Sequence, residues 1–102
     1  MKKVAIITLN YNGKEDTIDF LSSLNKLDTQ GLEIKTVVVD NASEDGSLGQ
    51  IKRLFPEVDI LQTGANFGFA GGFNRGIDYA LVWGADYVLI INNDSLIKDK
   101  NL

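Results

Sequence analysis

Hydrophobic positions fall along this chain in two alternating kinds of pattern. Four short runs are apolar and rich in β-branched residues: 4–9, 34–39, 58–61 and 87–91. The first, second and fourth are continuous rather than alternating, the pattern of strands buried on both faces of a parallel sheet. Between the runs the apolar period becomes helical. Thr17, Phe20, Leu21, Leu24 and Leu27 share one face ahead of the turn residues Gln30 and Gly31. Leu48, Ile51, Leu54 and Phe55 share another, and Pro56 ends that helix. Phe73, Ile77, Ala80 and Leu81 form a third stripe, with Gly84 as its C-terminal stop.

The predicted order is β-α-β-α-β-α-β. Right-handed crossovers turn that order into a three-layer, Rossmann-like α/β domain with parallel strand order 3-2-1-4. Ligands of open α/β sheets bind outside the carboxyl ends of the strands, at the switch point, here between strands 1 and 4. Asn10, Tyr11, Asn12 and Gly13 end strand 1. Asp40 and Asn41 end strand 2, and Asn92, Asn93 and Asp94 end strand 4. Nearly all the unusual polar residues therefore gather on one edge.

Composition narrows the chemistry of that edge. The 102 residues suit one small domain, 1–102, and there is no low-complexity stretch. Net charge is −4, from ten basic and fourteen acidic residues, so no basic face for nucleic acid is expected. With no cysteine and no histidine, a disulfide framework, a thiolate nucleophile, a Ser–His relay and a Cys/His zinc site are excluded. A metal would have to be held by oxygen, which points to Mg²⁺, Mn²⁺ or Ca²⁺. No apolar run approaches a membrane span, and the short run after Met1-Lys2-Lys3 lacks a cleavage-like segment. A cytoplasmic domain, or one at the cytoplasmic face of a membrane, is expected.

Each polar cluster has two readings. Asp94 at the mouth of a buried strand can hold a hard cation, or Asn92-Asn93-Asp94-Ser95 can be a turn. Asp40 can accept from ligand hydroxyls or from nucleobase N–H groups, while the segment 43–47 forms a turn in which Asp45 or Ser47 caps the second helix. Segment 64–76 holds five of the ten glycines. They let backbone approach a ligand at a helix start, or let the helix pack tightly on the sheet. Neither a P-loop lysine nor the dinucleotide fingerprint is present. Arg75 is solvated, salt-bridged or directed at a phosphate. Lys14, Glu15, Asp16, Asp19, Asp78 and Asp86 read as surface residues, and Tyr79 and Trp83 as core or rim.

Taken together, four segments resemble glycosyltransferase family 2, of the GT-A type. Val4 through Gly13 resembles its opening strand and Tyr-Asn turn, and Val38 through Ser47 its second-strand motif. Asn66-Phe67-Gly68-Phe69-Ala70-Gly71-Gly72-Phe73-Asn74-Arg75-Gly76 is similar to the form found in rhamnosyltransferase-like members. Asn92-Asn93-Asp94 takes the place of the Asp-x-Asp motif, with Asn92 where the first acid would be.

The resemblance implies an inverting transferase that moves a sugar from a nucleoside diphosphate-sugar donor to an acceptor hydroxyl, a glycan or lipid-linked saccharide of cell-surface polysaccharide biosynthesis. It implies that Asp40 recognises the nucleobase, with Leu9, Asn10 and Tyr11 lining the same pocket. Asn66, Gly72 and Asn74 would flank ribose and diphosphate. Asp94 would bind Mg²⁺ or Mn²⁺, with Asn92 on sugar or ribose. The family's general base lies well beyond the Asp-x-Asp motif, so no catalytic residue is expected here. The tail 97–102 reads as the start of a further helix in a truncated domain whose acceptor half is absent. Such a fragment is expected to be inactive alone and to expose strand 4 to edge-to-edge dimerisation. The other fold-level readings are a flavodoxin- or Rossmann-type nucleotide-binding domain, disfavoured by the single glycine of the first loop, and a receiver domain, disfavoured by Asn10 and Asn12 where acids belong.

Overall fold

A computed structural model describes residues 1–94. The elements follow in the order β1 (Lys2–Asn10), α1 (Lys14–Leu24), β2 (Leu32–Asp40), α2 (Ser47–Leu54), β3 (Asp59–Gln62), α3 (Gly68–Trp83) and β4 (Tyr87–Ile90). All three strand pairings are parallel and the spatial order is β3-β2-β1-β4, as the sequence predicted. The anticipated helix at 97–102 lies outside the described residues.

The register decides which side chains share a face. β1 and β2 pair from Lys2↔Leu32 to Asn10↔Asp40, and β1 meets β4 from Val4↔Tyr87 to Ile7↔Ile90. Because strand side chains alternate, Val4 and Ile6 join Val38 on one face, against Phe20 and Leu21 of α1 and Ile51 of α2. Ala5 and Ile7 join Val37 and Val39 on the other, against Phe73 and Ala80 of α3. This gives three layers, with α1 and α2 on one side and α3 on the other. The continuous apolar runs follow directly, since both faces of β1 and β2 are covered.

Several boundaries move. α1 stops at Leu24, and Leu27 is reached through a tight turn closed by Leu27 N–H to Leu24 O (3.0 Å). Phe55 is the buried C-cap of α2 rather than part of it. In α3, Leu81 is exposed and leaves the predicted stripe, and Gly72 and Gly76 take the sheet-facing positions. A Cβ on Gly76 would lie 2.7 Å from Ile7 Cγ2 and 2.8 Å from Val39 Cγ2, and one on Gly72 would collide with Leu9 Cδ1. These two glycines, one helical turn apart, let α3 settle on the sheet more closely than any other residue would. Gly84 ends the helix in the left-handed conformation (φ 94°), with Ala85 N–H reaching Ala80 O at 3.1 Å.

Candidate functional site at the carboxyl edge of the sheet

The polar residues that end β1, β2 and β4 converge, but their side chains divide into a buried floor and an exposed rim. Asn10 is the centre of the floor. Strand alternation sends it toward α1 and α2, where it is fully buried. Its Nδ2 lies 2.8 Å from Asp40 Oδ1, 2.8 Å from Ser47 Oγ and 3.0 Å from Ser43 Oγ. Two amide hydrogens thus serve three acceptors. Its Oδ1 accepts from the Thr17 hydroxyl at 2.7 Å. Asp40, only 3% exposed, also accepts from Ser43 N–H at 3.1 Å through Oδ2. Asn10 and Asp40, read from the sequence as ligand contacts, are therefore engaged internally in this structure.

The loops above this floor are fastened to each other. Asn12 N–H donates to Ser43 Oγ (2.9 Å), and Glu44 N–H donates back to Asn12 Oδ1 (2.7 Å). Asp45 accepts from the first N–H of both helices, Lys14 of α1 (3.1 Å) and Ser47 of α2 (3.0 Å). One carboxylate thus faces two helix N-termini, whose N-cap residues are Gly13 and Gly46. Of the two candidates the sequence left open neither is the N-cap, which is Gly46; Asp45 accepts from the first N–H of α2, while the Ser47 hydroxyl accepts from Asn10. Burial works against the Asp45 charge, but the Ser47 hydroxyl and these N–H groups outweigh it and hold the carboxyl below its usual value. Asn12 (φ 50°) and Ala42 (φ 63°) adopt left-handed backbone in these same loops. For Ala42 that conformation costs about 1 kcal/mol.

On the opposite face, Asn41 ties the end of β2 to the start of α3. It is 1% exposed, donates to Gly68 O at 3.0 Å and accepts from Thr63 Oγ1 at 3.0 Å. Asn66 Oδ1 accepts from Gly68 N–H at 2.9 Å and so caps the glycine-rich helix start. Gly72 and Leu9 meet in the helix–sheet contact described above, where Gly72 is buried. Asn74 lies about 200° around α3 from Gly72 and is exposed on the outer face. The structure therefore gives Gly72 and Gly76 a packing role and leaves Asn74 exposed on α3. Arg75 stacks on Phe67, with its guanidinium carbon 3.5 Å from the ring centroid, and donates to Gly71 O.

The rim consists of Tyr11, 49% exposed, with Asn66, Asn92 and Asp94, all exposed. Asp94 follows β4 closely: Ile91 N–H still donates to Ile7 O (3.0 Å), and Asn93 Nδ2 donates to Thr17 Oγ1 (3.0 Å). These two bonds bring the 91–94 segment to the β1–α1 junction, the predicted switch point. The sequence reading missed the roles of Thr17, Asn41, Thr63 and Asn93. One signal was available, since Thr17 is a polar residue on an otherwise apolar helical stripe and a buried hydroxyl requires a partner.

Asp94 and the amide oxygen of Asn92 are oxygen donors. Among the described residues no three Asp, Glu, His or Cys side chains converge. The donor set fits a hard divalent cation held jointly with a ligand's phosphate oxygens, and does not fit a self-sufficient ion cage. No helix among the described residues is long and apolar enough to cross a membrane.

Comparison with known proteins agrees with this geometry. The model of the family described as "Glycosyl transferase family 2" matches residues 5–102. The N-acetylglucosaminyl-diphospho-decaprenol L-rhamnosyltransferase of Mycobacterium tuberculosis is 28% identical over 97 residues, 87% of this chain and 31% of that protein. The low-salt glycan biosynthesis hexosyltransferase Agl10 of Haloferax volcanii is 29% identical over 102 residues, 97% of this chain and 30% of that protein. Among solved structures, S. aureus TarS in complex with UDP-GlcNAc superposes with a TM-score of 0.78 at 27% identity, over 92% of this chain and 27% of that one. The mannosyltransferase PcManGT from Pyrobaculum calidifontis, in complex with GDP-Man and Mn²⁺, shares the fold with a TM-score of 0.80 at 24% identity, over 95% of this chain and 29% of that one. The chain spans under a third of the length of each of these relatives.

Proposed function

The chain belongs to glycosyl transferase family 2, and on that premise we propose that its carboxyl edge binds the nucleoside diphosphate part of a sugar donor. The donor sugar would pass to an acceptor hydroxyl with inversion in the whole protein. The observation that carries this reading is the placement of Asp94, an exposed carboxylate brought to the β1–α1 junction by the Ile91–Ile7 and Asn93–Thr17 bonds. Tyr11 offers an exposed ring just after β1 for a nucleobase, with Asp40 buried on the α1/α2 side of the strand ends and Leu9 partly buried on the α3 side. Asn66 and Asn92 face the solvent on either side.

A departing nucleoside diphosphate gathers negative charge, and a bound Mg²⁺ or Mn²⁺ would supply its neutralisation there. The residues that would hold such an ion are Asp94 and Asn92. The general base is assigned to none of the described residues. The name of one relative, N-acetylglucosaminyl-diphospho-decaprenol L-rhamnosyltransferase, supports a lipid-linked saccharide as the acceptor, and we place that transfer at the cytoplasmic face of a membrane.

Titration calorimetry tests the donor site. With one carboxylate supplied by the protein, metal and diphosphate should bind interdependently, each raising the other's affinity by the same factor. UDP and GDP should bind more tightly with Mn²⁺ present, and Asp94→Ala should abolish that gain while leaving metal-free binding nearly intact. Tight Mn²⁺ binding without nucleotide, or a Mn²⁺ gain that survives Asp94→Ala, would move the ion elsewhere and leave 92–94 as a turn.

A further inference from the structure

We propose that Asn93 and Thr17 are positioning residues, a latch that fixes the 91–94 segment, and with it Asp94, to the first turn of α1. The inference rests on the donor-site reading of Asp94 given above. Asn93 Nδ2 donates to Thr17 Oγ1 at 3.0 Å, and Thr17 donates in turn to Asn10 Oδ1 at 2.7 Å. Asn10 Nδ2 then donates to Asp40 Oδ1 at 2.8 Å. Every donor in this chain points the same way, toward the Asp40 carboxylate. Bonds aligned head to tail and ending on an anion polarise one another, and a charged terminal acceptor strengthens the set. The Thr17 hydroxyl sits at the middle with its donor and one acceptor position both used. Rotating it to serve another partner would break the chain at both ends.

Packing supports the same assignment independently. A Cβ on Gly13 would lie 2.6 Å from Asn93 Nδ2. The Asn93 amide therefore occupies space that any other residue at position 13 would fill, directly above the N-terminus of α1. Gly13 has φ −112°, which other residues adopt freely, so close approach rather than backbone conformation is what requires glycine here. Consecutive Cα atoms are about 3.8 Å apart, so holding Asn93 restricts where the Asp94 carboxylate can go. Asp94 itself is exposed and has no burial to orient it. These bonds also join the end of β4 to the ends of β1 and β2, so the metal side and the nucleobase side of the edge share one network, part-buried at Asn93 and buried from Thr17 to Asp40.

The test uses Thr17→Val, which keeps the shape and removes the hydroxyl, with Thr17→Ser as the variant that returns it. UDP and GDP are titrated with and without Mn²⁺, the Mn²⁺ electron paramagnetic resonance spectrum is recorded in the ternary mixture, and thermal unfolding sets the native fraction of each variant. In Thr17→Val the Mn²⁺ gain in diphosphate affinity should fall about three- to tenfold, the factor one lost hydrogen bond carries, and metal-free binding should fall by less. Thr17→Ser should restore the gain and the spectrum. Asn93→Ala, which removes the same bond from the solvent side, should reproduce the loss, and Gly13→Ala should do so by displacing the Asn93 amide. Equal loss with and without metal, or no loss in Thr17→Val and Asn93→Ala while Asp94→Ala still abolishes the gain, overturns the latch and leaves the donor site standing. No Mn²⁺ gain in the unaltered protein overturns both.

Discussion

Asn10→Ala separates a structural role from a ligand-binding role for the residue at the centre of the edge. The substitution removes the donor to the buried Asp40 carboxylate (2.8 Å), the donor to the buried Ser47 hydroxyl (2.8 Å) and the acceptor of the Thr17 hydroxyl (2.7 Å). A hydrogen bond to a charged group contributes about 1.5–3 kcal/mol, and each neutral one about 0.5–1.5 kcal/mol. The bond to Ser43 is left out because Ser43 is only partly buried and water can replace it. The three terms together predict a loss of about 2.5–6 kcal/mol, a large share of the roughly 5–15 kcal/mol that holds a domain folded. Each kcal/mol lowers Tm by about 4–8 °C in a domain of this size, so a fall of at least roughly 10 °C is expected, and up to several tens of degrees at the upper end. Equilibrium urea unfolding followed by the single Trp83 is the assay, with the midpoint shifted and the slope unchanged. Trp83 lies under Lys3 and Lys35, at 5.2 and 5.3 Å, and reports on packing across α3, β1 and β2. A loss below about 1 kcal/mol, with diphosphate binding abolished, would refute the reasoning and return Asn10 to the ligand.

Two further outcomes follow from single side chains. The Thr8 hydroxyl is buried with no hydrogen-bond partner among the described residues, so Thr8→Val should stabilise the chain by about 1 kcal/mol in the same urea assay; a loss of similar size would mean that the hydroxyl has a partner. Asp59 is opposed by partial burial, but the Tyr79 hydroxyl (2.7 Å) and Lys35 (3.0 Å) outweigh that and hold its pKa below the usual 3.8. Its stabilisation is therefore present above its unfolded-state pKa and is lost as pH falls through the lower folded value. Asp59→Asn should flatten part of the acid limb of stability below about pH 4, the rest remaining with Asp45, whose pKa is lowered too; an unchanged acid limb would count against the pairing.

How much of this was legible without coordinates depends on the range of the interaction. The sheet order, the three layers and the edge that gathers polar residues all follow from local pattern. Continuous β-branched runs require cover on both faces, and crossover handedness leaves few topologies. Gly84 as a helix stop is decided within a few residues and was equally readable, while the start of α2 was narrowed to Asp45 or Ser47 without a choice between them. The four motif segments, together with the spacing between them, were enough to point to glycosyl transferase family 2.

The sequence did not reveal which polar side chains at that edge face inward. Asn10, Asp40 and Tyr11 are all polar residues at strand ends. Only the register Asn10↔Asp40, with Thr17 and Ser47 packed on the same face, commits the first two to the interior and leaves Tyr11 out. The glycines of α3 present the same problem. A glycine that admits a ligand and one that admits the sheet have the same sequence, and the nearness of Ile7, Leu9 and Val39 decides between them. The Asn93–Thr17 bond spans 76 residues of chain. A contact of that separation exists only after β4 has paired with β1, and no periodicity in either segment encodes it.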